Sequence, residues 1–549
     1  MLQFGTSGLR GLVTDMTDQE CYVNTLGFVR YLLDTRQAKT GQAVCLAGDL
    51  RSSTDRILSA VAGAVADAGC KVVFGGKVPS PAIMYYAMQH GQASIMVTGS
   101  HIPDDRNGIK FNKPGGEVLK DDEGGILAQV AGARTGIPEG LFDASGAYAA
   151  DRRPKLPETN PQIEAFYRAR YLSAWPEKAL EGLRILVHQH SAVGRDLLVH
   201  ILQGLGAEVV ALGRSERFVP VDTENVNADQ LATFREWVRH HHPHAIVSTD
   251  GDSDRPLVVD ETGAFHRGDV LGAAVARFLG IRFAAVPVSA NDAIDAYLQQ
   301  AGIERASTRI GSPYVLAALH HARQAGKQPV AGWEVNGGFM LGTDLHLGPD
   351  RLLAALPTRD ALLPILCVLM AAKQRGSLQA VFRDFPPRFT QAGLLDNFPQ
   401  DISRRLIAGL QPPDSQVNQI DFQAQRLHYV FSDGHEEGRS AAYLAEAPIV
   451  PRAFWKENQA EHPEWSIKRL LEKYYFTAEK GFAPVARINV VDGIRITFEN
   501  HDVAHIRPSG NAPQLRIYAT ANTQERADEI VRLGLAVDGI LQAMSADIA

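Results

Sequence analysis

A chain of 549 residues is longer than one hydrophobic core can serve, because cores stop growing at roughly 250 to 300 residues, so three or four domains are expected. A hydrophobic content of 45% with 21% charged residues belongs to a folded soluble protein and excludes a disordered or collagen-like chain. The 62 acidic and 55 basic side chains give a formal charge of -7 without a long basic stripe, which argues against nucleic acid as a partner.

In chain order, the first clear unit is a strand over Ala43 to Leu46, a helix over Asp55 to Ala68 with Ile57, Val61 and Val65 on one face, Gly69 as stop, and a strand over Lys71 to Phe74. The apolar strand Ala93 to Val97 then leads into Thr98-Gly99-Ser100-His101-Ile102-Pro103 and Asn107 to Phe111. Ligands collect at the carboxyl ends of parallel strands, so Ser100 is a candidate nucleophile, with His101 and Lys110 as the base or cation that a hydroxyl needs. A Ser/His N-cap turn is the competing reading of the same residues.

The unit recurs as Arg184 to Val187, helix Gly194 to Leu205, Gly206 and strand Glu208 to Leu212. The run His240-His241-His242-Pro243-His244 reads as a solvated turn at a helix end, with transition-metal ligation as the alternative. After the strand Ala245 to Ser248 comes Asp250-Gly251-Asp252-Ser253-Asp254-Arg255. Three carboxylates at alternate positions, in a turn that Gly251 permits, converge oxygen ligands on a hard divalent cation. Later ligands of a calcium loop are missing, and a solvated acidic turn is the remaining alternative.

A third copy runs Phe283 to Val286, helix Asp292 to Gln300, Gly302 and strand Ala306 to Ile310. After Gln328 to Ala331, the loop Gly332-Trp333-Glu334-Val335-Asn336-Gly337-Gly338 offers acidic and amide groups suited to sugar hydroxyls, or a plain β-turn. Three similar α/β domains follow from the recurrence. The text from Pro399 to Pro484 is polar and Pro-containing, and reads as an elaboration of the last domain's edge, with Trp455, Trp465, Tyr474 and Tyr475 as its small core. Strands Arg495 to Phe498 and Leu515 to Ala519, and a helix opened by Asn522 and Glu525 and running to about Met544, predict a C-terminal α+β domain. Between its strands, Arg507-Pro508-Ser509-Gly510-Asn511-Ala512-Pro513 with Arg516 reads as a phosphate cradle or an ordinary turn.

Cys21, Cys45, Cys70 and Cys367 show no metal-ligand spacing and are expected to be reduced and mostly buried. No basic segment followed by an apolar one opens the chain, and the longest apolar run, Ala361 to Ala372, falls well short of the ~20 residues that cross a bilayer. A soluble cytoplasmic protein with no membrane partner is expected.

Taken in order, Phe4-Gly5-Thr6-Ser7-Gly8-Leu9-Arg10-Gly11, the Ser100 loop, the Asp250 loop, the Glu334 loop and Arg507 to Pro513 resemble the α-D-phosphohexomutase family over nearly the whole chain. The third and fourth loops look more like its bacterial phosphomannomutase branch than its phosphoglucosamine one. The resemblance implies four domains around a central cleft: 1–155, 156–262, 263–385 and 386–549, the last with an insertion near 399–484. It implies interconversion of hexose 6-phosphate and hexose 1-phosphate, mannose foremost and glucose as a second substrate, through phosphorylated Ser100 and a hexose 1,6-bisphosphate that also acts as activator. Mg²⁺ would be held by Asp250, Asp252 and Asp254 against Ser100. Arg10, His101 and Lys110 would surround the transferring phosphoryl and Arg255 would border the metal. Glu334 and Asn336 would face the sugar, and Arg507, Ser509, Gly510 and Asn511 would grip the remote phosphate. A phosphoglucomutase or phosphoglucosamine mutase is the alternative within the family, and a Mg²⁺-dependent sugar phosphatase and a non-catalytic sugar-phosphate sensor are the alternatives of other classes.

The chain departs from the family pattern at two places. Gly99-Ser100-His101-Ile102-Pro103 replaces an alanine-serine-histidine-asparagine-proline order, so the amide after the histidine is lost at Ile102. Gly338 stands where a histidine often closes the sugar loop, which shifts acid–base work toward Lys110 and His101.

Overall fold

The structure, a computed structural model, describes residues 3–5, 8–423, 426–440, 449–456, 463–509 and 513–548. Two units make up the chain: Met1–Ala290, Ile294–Ala306 and Gly311–Phe385 in one, and Asn291–Ala293, Ser307–Ile310 and Pro386–Ala549 in the other.

Three mixed sheets are formed by the chain up to residue 360, and they repeat one pattern. In the first, Lys71–Phe74, Ala43–Gly48 and Ala93–Val97 run parallel, and Arg106–Lys113 returns antiparallel to Ala93–Val97. Gly8–Leu12 and Gln3–Gly5 extend that edge. In the second, Glu208–Arg214, Arg184–His190 and Ala245–Thr249 are parallel and Pro256–Asp260 returns. In the third, Glu304–Thr308, Phe283–Pro287 and Val330–Trp333 lie in that order, and Phe339–Leu341 returns antiparallel. The parallel strands are apolar runs because helices cover both faces; Ala93–Val97, Ala245–Thr249 and Phe283–Pro287 are buried throughout. Helix Thr54–Asp67 turns Ile57, Val61 and Val65 inward as its spacing predicts.

Each returning strand closes a hairpin, and the three hairpin connections are the Ser100, Asp250 and Glu334 loops. One topological position therefore delivers all three, at the carboxyl end of the third parallel strand. The apolar run after residue 360 forms helix Leu362–Arg375, buried from Leu362 to Ala372 as a core element. Among the described residues no helix is long and apolar enough to cross a membrane. All four cysteines are buried free thiols.

The second unit is built on an antiparallel sheet of eight strands in the order Phe389–Leu395, Leu515–Ala521, Val503–Pro508, Ile494–Phe498, Val485–Asn489, Val417–Gln423, Arg426–Phe431, Glu436–Ser440. The last three strands come from the insertion, which extends the sheet edge through the pairing of Val417–Gln423 with Val485–Asn489. Trp465 packs there with Val417, Ile420, Leu427 and Tyr429, while Tyr475 joins the main core and Trp455 and Tyr474 pack against it.

Several expected boundaries shift. The strand placed at Ala306 to Ile310 is Glu304–Thr308, because the Glu304 amide already pairs with the Arg282 carbonyl. The strand expected to end at Ala331 is Val330–Trp333, whose Trp333 is core and donates its indole N–H to the Asp269 carbonyl at 3.0 Å. The final helix is capped by Thr523, not Asn522, and is two helices, Gln524–Leu535 and Ile540–Ile548, broken where Ala536 turns extended and Asp538 takes φ 63°. The histidine run ends helix Ala228–His241 with His242 left-handed, and His244 Nδ1 accepts from the Arg184 amide. That is the turn reading.

Three other histidines are held neutral by burial. It pushes His188 down to about 4, His190 to about 3 and His505 to about 4, from 6.5. His190 and His505 each set Nε2 against a backbone carbonyl, of Thr249 and Asp492 respectively. Each folded-state value is depressed, so the associated stability is complete above pH 6.5 and is lost as pH falls toward 4. The slope reaches about 1.4 kcal/mol per pH unit for each histidine, because the unfolded chain takes up a proton that the folded one refuses. Urea midpoints should accordingly fall between pH 7.5 and pH 5, and His190→Asn should flatten that dependence; an unchanged slope would count against burial as its cause.

Candidate active site

Ser100 sits at φ 56°, a left-handed conformation that a serine keeps only where its surroundings impose it. Arg51 supplies the constraint. Its guanidinium donates to the carbonyls of Ser100 (2.9 Å), Ile102 (2.5 Å), Pro103 (2.6 Å) and Arg106 (2.9 Å), and pairs with Asp49 at 3.2 Å. Asp49 in turn accepts from Thr98 Oγ1 (2.7 Å), which receives the Ser100 amide (2.8 Å). A Cβ on residue 99 would lie 2.6 Å from Arg51 Cζ, so the guanidinium in this place requires glycine there.

The acidic loop is a tight hairpin closed by the Asp250 amide on the Arg255 carbonyl. Its left-handed residue is Ser253, at φ 59°, and not Gly251. Gly251 is needed for a different reason: a Cβ there would be 2.5 Å from the Ser100 carbonyl oxygen, so the two loops touch backbone to backbone. Asp250, Asp252 and Asp254 are buried, with one oxygen from each lying within 4.8 Å of the others.

Ser100 Oγ donates to Asp250 Oδ2 at 2.5 Å and lies 3.4 Å from His101 Nδ1. Lys110 Nζ reaches Asp252 (2.5 Å) and Asp254 (2.6 Å), and Ser80 Oγ also donates to Asp252 at 2.7 Å. Arg255 stands 3.6 Å from Asp254 and 3.8 Å from Asp250. Arg10, on Gly8–Leu12, is in electrostatic reach of Asp252 and Asp254, but desolvation by the surrounding protein, with Arg255 and Arg359 nearby, pushes its guanidinium down to about 10.

These charges set protonation. Burial works against charge on Lys110, yet Asp252 and Asp254 hold its ammonium above the usual lysine range, so it is a fixed cation. Burial, with Arg255 and Arg10 nearby, pushes His101 down to about 2, so its imidazole is neutral. Burial also drives Asp250 up, whereas Arg359, Lys110 and Arg255 overcome burial at Asp254 and hold it well below the carboxylate range.

Two buried carboxylate oxygens, Asp252 Oδ1 and Asp254 Oδ1, lack a hydrogen-bond partner among the described residues. Orphaned anionic oxygens are costly to bury, and a hard divalent cation with oxygen ligands is what such a set accepts. The triad could therefore hold a metal ion such as Mg²⁺.

In the third loop Glu334 and Asn336 are both buried. Asn336 Oδ1 accepts from the Gly338 amide at 3.0 Å, which leaves its amide NH₂ as the group available to a ligand. Glu334 Oε2 accepts from Arg359 Nη1 at 2.8 Å, and Arg359 Nε donates to Asp254 at 3.0 Å. In the second unit, Arg507 ends Val503–Pro508, donating to Asp492 at 2.8 Å, and the Ser509 amide closes its hairpin on the Gln514 carbonyl. Arg507 and Arg516 are directly opposed across that ladder. Gly510 and Asn511 lie outside the described residues.

Arg51, Ser80 and Arg359 escaped the sequence reading because none lies in a glycine-rich motif. For Arg359 one signal existed: Arg359-Asp360 is a charged pair directly ahead of the wholly apolar run from Ala361.

A mixed-sheet repeat that delivers a serine, a carboxylate triad and an acidic–amide loop through equivalent hairpins defines a class. Models of phosphoglucomutase/phosphomannomutase alpha/beta/alpha domains I, II and III match residues 1–135, 164–263 and 267–389, and the C-terminal domain model matches 459–532. The chain belongs to the phosphoglucomutase/phosphomannomutase family. It is 37% identical over 536 residues to a phosphomannomutase of Sinorhizobium fredii, covering 97% of this chain and 98% of that one. It is also 37% identical to a phosphomannomutase of Salmonella muenchen, covering 96% and 94%. A solved phosphoglucomutase/phosphomannomutase family protein of Burkholderia thailandensis, 17% identical, shares the fold with a TM-score of 0.63 over 100% of this chain and 98% of that one.

Gly251→Ala should force the Ser100 and Asp250 loops apart and cost about 1–3 kcal/mol, as overpacking does. Gly115→Ala, with nothing within 4 Å of the added carbon, serves as the control that leaves the urea midpoint in place.

Proposed function

We propose that this protein is a hexose phosphate mutase that moves a phosphoryl group between the 6- and 1-hydroxyls of a hexose, with mannose phosphates as the principal substrates and glucose phosphates second. The 2.5 Å contact of Ser100 Oγ with Asp250 of the Asp250–Asp252–Asp254 triad is the observation that carries this reading, because it puts a hydroxyl against a set of buried oxygens suited to a cation. The high identity to phosphomannomutases over nearly the full chain supports the choice of sugar.

In the working enzyme Ser100 Oγ carries the phosphoryl group. The hexose 1-hydroxyl attacks phosphorus, the bond to Ser100 Oγ breaks, and the 1-hydroxyl proton passes to a base. Of the two residues given acid–base work by the sequence, Lys110 is held as a cation and so balances phosphoryl charge, while burial makes His101 too weak a base to keep the proton, which ends on the Ser100 Oγ that the phosphoryl leaves. A loose transition state asks little of that base and much of charge placement, to which Arg10, Lys110 and Arg255 contribute. Mg²⁺ held by Asp250, Asp252 and Asp254 would supply Lewis-acid polarisation of the phosphoryl oxygens.

We assign the non-transferring phosphate to the Arg507–Ser509 hairpin. Arg507, held by Asp492 at 2.8 Å, stands directly opposite Arg516, so the hairpin offers two guanidiniums to an anion. The 1,6-bisphosphate then turns end for end and returns its other phosphate to Ser100, and the same bisphosphate primes a dephosphorylated chain.

A coupled assay of mannose, glucose and glucosamine 1-phosphates, with and without Mg²⁺ and a bisphosphate primer, tests the proposal. Ser100→Ala should abolish turnover, and Asp252→Asn should raise the Mg²⁺ concentration needed for half-maximal rate by about tenfold or more. Near-normal rates in the serine variant would sink the reading, and phosphate release independent of a primer would place the same residues in a phosphatase.

A further inference from the structure

Arg359 joins two loops that the sequence treats separately. It is buried, and its guanidinium donates to Asp254 of the acidic loop at 3.0 Å and to Glu334 of the sugar loop at 2.8 Å. Its root is fixed as well. Neighbouring Asp360 accepts from Tyr167 at 2.6 Å, from Tyr171, and from the Leu362 amide at 3.0 Å, so the strand Leu356–Asp360 has little freedom to shift.

Between these fixed ends the aliphatic stem runs over Gly338. A Cβ at residue 338 would stand 2.7 Å from both Cγ and Cδ of Arg359 and 2.9 Å from its Cβ. The stem cannot withdraw without giving up Asp254 or Glu334. Any side chain at 338, a histidine included, is therefore incompatible with Arg359 in this position. The glycine that seemed to cost the sugar loop a functional group is what admits a cation from another strand.

We propose that Arg359 is the positioning residue of the sugar loop: in the space left by Gly338 it fixes the Glu334 carboxylate to receive a hexose hydroxyl and ties that orientation to the acidic loop through Asp254. With Oε2 committed to Arg359, Oε1 of Glu334 is the oxygen that meets the sugar. The assignment rests on the hexose phosphate mutase reading, since it gives Glu334 a sugar to bind.

Two cycles on the full chain test it. In the first, Arg359→Gln raises the KM for the best hexose phosphate about 10- to 100-fold, the range expected for losing a charge-assisted hydrogen bond, and Arg359→Lys recovers part of that loss. In a Glu334→Gln background the same Arg359→Gln change shifts KM by less than about threefold, because its partner is already gone. An equal factor in both backgrounds, or a loss confined to kcat, overturns the proposal. In the second, which needs no activity, Gly338→Ala lowers Tm in the parent chain but leaves it unchanged in an Arg359→Ala background. Equal Tm losses in the two backgrounds would overturn the mutual exclusion of Arg359 and a side chain at 338. A parent chain inactive on every hexose phosphate would instead refute the mutase reading, whatever the Tm cycle shows.

Discussion

Three aspartates buried with oxygens within 4.8 Å of one another create a demand for positive charge that no single loop can meet. Lys110 comes from the first sheet, Arg255 from the acidic loop itself and Arg359 from the third sheet. Repulsion among the carboxylates thus becomes a reason for three separate sheets to converge, and a large shared core, running from Cys45 to Val381 in sequence, backs the convergence with apolar packing. The compensation is incomplete: among the described residues two carboxylate oxygens, Asp252 Oδ1 and Asp254 Oδ1, accept no hydrogen bond, which leaves room for a cation. The same charges decide protonation nearby, fixing Lys110 as a cation and His101 as a neutral ring.

The backbone keeps pace with the electrostatics. Ser100 holds a conformation that serine seldom adopts, and it does so because Arg51 anchors four carbonyls around it while Asp49 and Thr98 fix its amide. The Ser100 hydroxyl is therefore oriented by an arginine that does not touch it. Pre-organisation of this kind is what a reaction dominated by placement requires.

Much of this could be read from residues alone. Period-two and period-3.6 apolar runs located the repeated strand–helix–strand units, because parallel strands covered on both faces cannot be polar. Four motifs announced their loops, since glycines and clustered polar groups have few other uses after an apolar strand. The errors lie where tertiary contacts override local pattern: Gly251 is small because the Ser100 carbonyl approaches, not to allow a turn, and Trp333 belongs to the core although its neighbours form a loop. Arg51, Ser80 and Arg359 were invisible because their roles depend on segments far away in sequence, and a single polar residue in a loop, a helix or a strand carries no local signature of such a partner.

Two glycines of these loops show the same arrangement. At residue 99 a missing methyl accommodates the Arg51 guanidinium, and at residue 338 a missing ring accommodates the Arg359 stem. In each case the loop has given up atoms that the framework returns as an arginine. Residues 99 and 338 are thus each tied to a residue distant in sequence, and a side chain added at either one alone would collide with the arginine that fills the space.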